Sequence, residues 1–337
     1  MSLTSSRPRV RREAKRDWSS QLQDTGDIVG RASSIEEIVG ILSRRGCTDL
    51  TSEIDFNKCS ECAVAGGGYC DVFRGALRSG TVIAIKSLRV YDHPGTDTNR
   101  KKLLKHAAKE LYHWSKLEHT NILPLMGLAL FRGCISMVSQ WMAYGNLTSY
   151  LSKNPDADRI DLCIGICAGL CYIHKIDMVH GDLKGANVMI SSAGEPLIAD
   201  FGNAHLRELT LRFTDTTNPG LSLRWAAPEL FTDDDNKPNK MSDVYSYGME
   251  TFTGKIPFDD KSERWVITSL TSGRSSLSPA RPEIIANDEI WEILTSCWMR
   301  DPNNRPTITA IQERLRAAEK SIRSAQREYN GEVSDKN

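Results

Sequence analysis

HGDLKGANVMI occupies residues 180–190. It sets an aspartate (Asp182), a lysine (Lys184) and an asparagine (Asn187) in one short loop directly after a histidine, His180. Alone the run reads as a polar turn. Its weight comes from its surroundings: ADFG at 199–202 brings a further carboxylate, Asp200, close behind, and upstream lie a glycine-rich hairpin and an inward-facing lysine.

The hairpin is AVAGGGYCDVFRG (63–75) followed by TVIAIKSL (81–88). Three consecutive glycines, Gly66, Gly67 and Gly68, describe a tip whose backbone can approach a ligand and offer N–H groups to phosphate oxygens. In the alternating strand TVIAIK, Lys86 shares a face with Val82 and Ala84, so its ammonium needs an anion. The next segment, KLLKHAAKELYHWSKLEHTNIL (102–123), has helical spacing. Leu103, Ala107, Leu111 and Trp114 trace its inner stripe, and Glu110 lies on the stripe's edge as a candidate partner for Lys86.

Composition narrows the class. The chain has 337 residues and 40% hydrophobic content, enough for a large catalytic domain or two lobes sharing one core. Forty-three basic and forty-three acidic residues balance, so no overall field favours nucleic acid or an anionic membrane as partner. The most apolar run, 162–173, is too short to span a bilayer, and a soluble intracellular protein is expected. Nine scattered cysteines suit reduced thiols. Cys59 and Cys62 lack the further ligands of a metal site and read as an incidental pair. Cys163, Cys167 and Cys171 share one helix side with Ile164, Ile166, Leu170 and Ile173 and read as small core residues.

Organisation along the chain follows. Residues 1–32 are polar, with Arg7, Arg9, Arg11, Arg12, Lys15 and Arg16 clustered. They read as a disordered tail, with nuclear import or anion binding as the sharper alternative. In SSIEEIVGILSRRG (33–46), Ser33 and Glu36 have capping-box spacing, Ile35, Ile38, Val39 and Leu42 form a stripe, and Gly46 is a stop. The spacing predicts a short amphipathic helix, within a 33–56 helix-and-linker segment, that buries its stripe against the domain after it. Strand and helix signals are dense over 57–318, and 319–337 read as a polar tail.

The hairpin, IAIK, the helical glutamate, HGDLKGAN, ADFG, RWAAPE (224–229), SDVYSYG (242–248) and CWMRDPNNRP (297–306) occur in an order and spacing that resemble the eukaryotic protein kinases. DLKGAN, RWAAPE and the CW before DPNNRP look most like the tyrosine-kinase-like serine/threonine kinases common in fungi and plants. DLKxxN in place of the tyrosine-kinase DLAARN implies serine or threonine as acceptor. The resemblance implies an α+β bilobal fold. A small β-rich N-lobe (57–139) with one regulatory helix is joined by a hinge (140–144) to a larger, mainly α-helical C-lobe (145–318).

It also implies roles. ATP would be held with Mg²⁺, or Mn²⁺, and the γ-phosphate passed to protein substrates in cytoplasmic signalling, with the nucleus as the alternative compartment. Lys86, held by Glu110, would grip the α- and β-phosphates. Asp200 and Asn187 would ligate the metals, Asp182 would take or orient the acceptor's proton, and Lys184 would neutralise the γ-phosphate. Val72, Ala84 and Met189 would sandwich adenine. Ser139 would be the gatekeeper, with Gln140 to Met142 offering main-chain bonds to adenine. His180, Phe201 and Trp114 would stack between the lobes, Gly202 would complete ADFG, Glu229 and Arg305 would form a buried ion pair, and Asp243 would hold the catalytic loop.

Three departures qualify the match. Ala65 and Cys70 stand where the outer loop glycines usually lie, which predicts less free phosphate binding and a Cys70 thiol of lowered pKa near ATP, open to oxidation. Gly181 replaces the usual arginine before the catalytic aspartate, which predicts activity without phosphorylation of the activation loop. Between GM (248–249) and TG (253–254) only Glu250, Thr251 and Phe252 lie, where relatives carry about six residues. Three fewer shorten a buried helix by about 4.5 Å. That is a tolerated shortening, an error in the sequence, or the mark of a damaged kinase. The alternative function is accordingly a pseudokinase or ATP-binding scaffold.

Overall fold

The computed structural model describes residues 28–29, 33–66, 70–88, 97–206, 212–213, 222–232, 237–272, 278–285 and 287–334. Within the segment read as a tail, β1 (Ile28–Val29) pairs in parallel with β11 (Arg212–Phe213). Helix α1 (Ile35–Arg44) follows the predicted periodicity, with its cap one residue later than expected. Ser34, not Ser33, accepts from the Glu37 amide at 3.1 Å, and the Glu37 carboxylate accepts from the Ser34 amide at 2.9 Å. This register puts two acids in the first turn and leaves Gly46, at φ +96°, to end the helix.

The predicted partner of α1 is found within the chain. Ile38, Ile41 and Leu42 are buried in one core with Leu104, Ala108 and Leu111 of α2 (Asp97–Trp114). The Lys116 ammonium donates to the Arg45 carbonyl at 3.1 Å, and residues 48–50 then run beside the sheet edge. A Cβ on Gly127 would lie 2.2 Å from the Thr48 carbonyl oxygen, so this close approach requires glycine.

The N-lobe sheet is antiparallel, in the order β2 (Ala65–Gly66), β3 (Cys70–Ala76), β4 (Val82–Leu88), β6 (Cys134–Gln140), β5 (Leu125–Phe131). Side-chain alternation splits β4. Ile83 and Ile85 pack on one face with Ile54, Phe131 and Val138, while Ala84 and Lys86 face the other. Gly67 and Gly68 lie outside the described residues.

The C-lobe is helical. Asn146 caps α3 (Leu147–Lys153) and Asp158 caps α4 (Arg159–Lys175), which packs on α9 (Ile308–Ser334). The segment read as a polar tail is thus helix as far as Ser334. Cys163 and Cys167 are buried core residues as expected, but Cys171 is only partly buried. Short pairs β7 (Met178–Val179) with β10 (His205–Leu206), and β8 (Val188–Ile190) with β9 (Pro196–Ile198), hold the 180–187 loop. After them come α5 (Glu229–Thr232), α6 (Lys240–Glu250), α7 (Glu263–Thr271) and α8 (Asp288–Cys297).

The segment read as shortened lies at the C-terminal end of α6. The helix stops at Glu250, and the Gly254 amide folds back onto the Glu250 carbonyl at 2.8 Å with φ +65°. Arg159 of α4 donates to the carbonyls of Phe252 and Thr253 at 3.0 and 3.2 Å, satisfying acceptors that a longer helix would have used internally. No helix among the described residues is long and apolar enough to cross a membrane.

Candidate active site

The cleft between the sheet and the helices collects the predicted polar residues in two groups. In the first, Lys86 Nζ lies 2.8 Å from Glu110 Oε1 and 2.9 Å from Asp200 Oδ1. Strand β4 aims the lysine inward, and the helical stripe of α2 aims the glutamate to meet it. Burial opposes the lysine's charge, but Asp200 and Glu110 outweigh it and raise the pKa. Burial raises the Glu110 pKa, with Lys86 opposing. Asp200 is held down at about 2, because Lys86 overcomes its desolvation. Its backbone sits at φ +67°, an uncommon conformation for a non-glycine residue. Gly202 permits the crowding, since a Cβ there would lie 3.2 Å from Glu110 Oε2 and 3.3 Å from His106 Nε2.

Cys70 departs from expectation. Burial pushes its thiol up to about 12, overriding attraction from Lys86, so it is a neutral packing residue and not the activated thiolate expected from the sequence.

The second group is the 180–187 loop. Lys184 Nζ donates to Asp182 Oδ2 and to Ser222 Oγ, both at 2.7 Å. Asn187 Nδ2 donates to the Asp182 carbonyl at 2.8 Å and to its carboxylate at 3.3 Å. Asp243, buried at the start of α6, anchors this loop by accepting from the His180 and Gly181 amides at 2.9 Å each and contacting His174 Nε2 at 2.9 Å. Burial would raise its pKa, yet His174 and those amides hold it below the usual carboxylate value. Gly181 has φ +79°, and a Cβ there would lie 2.8 Å from the Asn203 carbonyl oxygen. The missing arginine is therefore matched by a loop path that only glycine follows without strain.

On the hinge side, Ser139 is buried opposite Ala84 in the β4–β6 ladder. Val72, Ala84 and Met189 are all partly exposed, while Met142 is buried. The Trp141 amide donates to the Val82 carbonyl at 3.1 Å, so of the expected span Trp141 is committed to the sheet and Gln140 and Met142 remain the candidates for adenine. Phe201 joins the lobes, its ring 6.1 Å from Trp114 and 5.4 Å from His180. Glu229 and Arg305 form the expected buried pair, bidentate at 2.7 Å through the two terminal guanidinium nitrogens.

Residues 60–315 match the family model described as "Protein tyrosine and serine/threonine kinase". The chain belongs to the protein kinase family. Among its relatives, serine/threonine-protein kinase STY46 of Arabidopsis thaliana is 28% identical over 77% of this chain and 44% of the relative. Tyrosine-protein kinase TXK of Homo sapiens is 30% identical over 77% and 47%. Receptor-interacting serine/threonine-protein kinase 1 of Homo sapiens is 28% identical over 72% and 40%. The chain thus spans about half the length of these curated relatives, which include both serine/threonine and tyrosine kinases.

Three features of this kinase escaped the sequence reading. His106 lies one turn before Glu110 in α2, and burial, with Lys109 and Lys86, lowers its pKa to about 4. The i, i+4 spacing was the available signal. Ser222 reaches the 180–187 loop through Lys184 from a distant segment, which no local pattern announces. Glu250, in the shortened segment, carries its carboxylate to the same loop.

Proposed function

We propose that this protein kinase transfers the γ-phosphate of ATP, with Mg²⁺, to serine or threonine hydroxyls of protein substrates. The observation that carries the reading is that every charged group the transfer demands is present and assembled: Lys86 with Glu110 and Asp200, and Asp182 with Lys184 and Asn187. Phosphoryl transfer rests mainly on positioning and charge neutralisation, which these groups supply.

Lys86 would bind the α- and β-phosphates, its charge secured by two carboxylates. Asp200 and Asn187 fit Mg²⁺: the half-exposed Asp200 carboxylate and the Asn187 carbonyl oxygen, left over once its amide nitrogen is engaged by Asp182, form an all-oxygen donor set suited to a hard cation. Bound there, the metal would neutralise phosphate charge. The acceptor oxygen forms its bond to the γ-phosphorus as the bond from that phosphorus to the β,γ-bridging oxygen breaks. The hydroxyl proton passes to the Asp182 carboxylate, Lys184 offsets charge on the transferred group, and ADP leaves.

DLKGAN supports serine or threonine over tyrosine, since Lys184 sits beside both Asp182 and Ser222. A scaffold that binds nucleotide without transfer is favoured only by the shortened α6. Phosphoamino-acid analysis of a mixed protein substrate after reaction with labelled ATP tests the assignment. Label on serine and threonine is expected. Label confined to tyrosine overturns the acceptor assignment.

A further inference from the structure

The end of α6 holds a carboxylate with no cation beside it among the described residues. Glu250 is the last residue of α6 and is 2% exposed. Its partners are three uncharged donors from three different elements. Thr148 Oγ1 of α3 donates to Oε1 at 2.8 Å, the Gly185 amide of the catalytic loop donates to Oε2 at 2.8 Å, and the Trp225 indole Nε1 donates to Oε2 at 2.6 Å. A carboxylate removed from water persists only where such donors satisfy it.

The fit is close on the loop side. A Cβ on Gly185 would lie 2.5 Å from Glu250 Oε1 and 2.7 Å from Thr148 Oγ1, so the glycine next to Lys184 and the carboxylate occupy one another's space. Trp225 belongs to the segment that also delivers Ser222 to Lys184, 2.7 Å away. One carboxylate thereby fixes the main chain just after Lys184 and the segment that flanks Asp182 from the other side.

We propose that Glu250 is a positioning residue for phosphoryl transfer: terminating α6 early places its carboxylate where it locks the catalytic loop to the Ser222–Trp225 segment. On this account the shortening serves the active geometry. The inference rests on the proposed kinase activity and concerns the presentation of the acceptor hydroxyl, not the binding of ATP, because Lys86, Asp200 and the hinge make none of these contacts.

The test is steady-state kinetics of the full chain and its variants at saturating and limiting ATP. Glu250→Ala orphans all three donors and is expected to lower kcat by about tenfold or more, with KM for ATP changed less than about twofold. Glu250→Gln is expected to restore most of kcat, since its carbonyl can accept from Gly185 and Trp225 while the Thr148 hydroxyl turns to accept from its amide. Gly185→Ala must displace the carboxylate, so the double variant is expected to fall no further than the more impaired single one. Trp225→Phe, which removes one donor while keeping the ring, serves where Glu250→Ala does not fold, and a smaller loss in kcat alone is expected. An active wild type whose Glu250→Ala and Trp225→Phe variants keep full kcat, or whose Gln variant is as impaired as Ala, overturns this inference alone. A folded wild type with no transfer overturns it together with the kinase reading.

Discussion

At the scale of the residue, the candidate site gathers carboxylates held in three different states by their neighbours. Asp200 is held down by Lys86, Glu110 is raised by burial, and Asp243 is stabilised as an anion by two amides and His174. Depressed carboxylate values give stability that is present above the ordinary pKa of 3.8 and lost as pH falls through the folded value. The melting temperature of the kinase is therefore expected to decline on acidification below about pH 4. Asp243→Asn should lower stability by about 1.5–3 kcal/mol at neutral pH and flatten that acid decline. Melting curves between neutral pH and about pH 2 for both proteins check it, and an unchanged profile in the variant contradicts the role given to Asp243. Lys86, Glu110, Asp182, Lys184, Asn187 and Asp200 were legible because each sits in a motif of fixed spacing. The Cys70 thiol was misread because its state depends on how deeply the folded sheet buries it, and a motif carries no burial.

At the scale of the element, α1 and α6 carry the account. Periodicity fixed the existence of α1 and its apolar stripe, but its cap was read one residue early because Ser33 and Ser34, and Glu36 and Glu37, offer two equivalent spacings. Only the folded chain shows that its stripe rests on α2, the helix that presents Glu110. Leu42→Ala is expected to cost about 2–5 kcal/mol, since Leu42 is fully buried there. It should also lower kcat by loosening Glu110 against Lys86. Equal melting temperatures and equal rates for wild type and variant would show that α1 does not brace α2. The short spacing between Met249 and Thr253 was visible in the sequence. How the fold accommodates it was not, because Arg159, Gly254 and Glu250 come together only through α3, α4 and the catalytic loop.

At the scale of the whole molecule, the lobes are joined by Trp114, Phe201 and His180, whose rings meet tilted and edge-on instead of stacked, and by the Lys86–Asp200 contact, while Glu229–Arg305 ties the segment after Trp225 to the last helices. With Gly181 in a glycine-only conformation, the catalytic loop is anchored through Asp243 without an arginine that a loop phosphate would have to neutralise. Replacing Thr210, Thr214, Thr216 and Thr217 together by alanine is thus expected to leave kcat within about threefold of wild type. Ser222 is kept, since it accepts from Lys184. Abolished activity in the folded quadruple variant would show that phosphorylation there is required. The bilobal order was legible from motifs spread along the chain, whereas the links between distant segments were not. The central claim is that this chain, with its shortened α6, is a working kinase, and transfer from labelled ATP with Mg²⁺ to a generic protein substrate tests it most directly. The account predicts label on the substrate with the wild type and none with an equally folded Asp182→Asn variant; equal labelling by the two, or no transfer from the folded wild type, would contradict it.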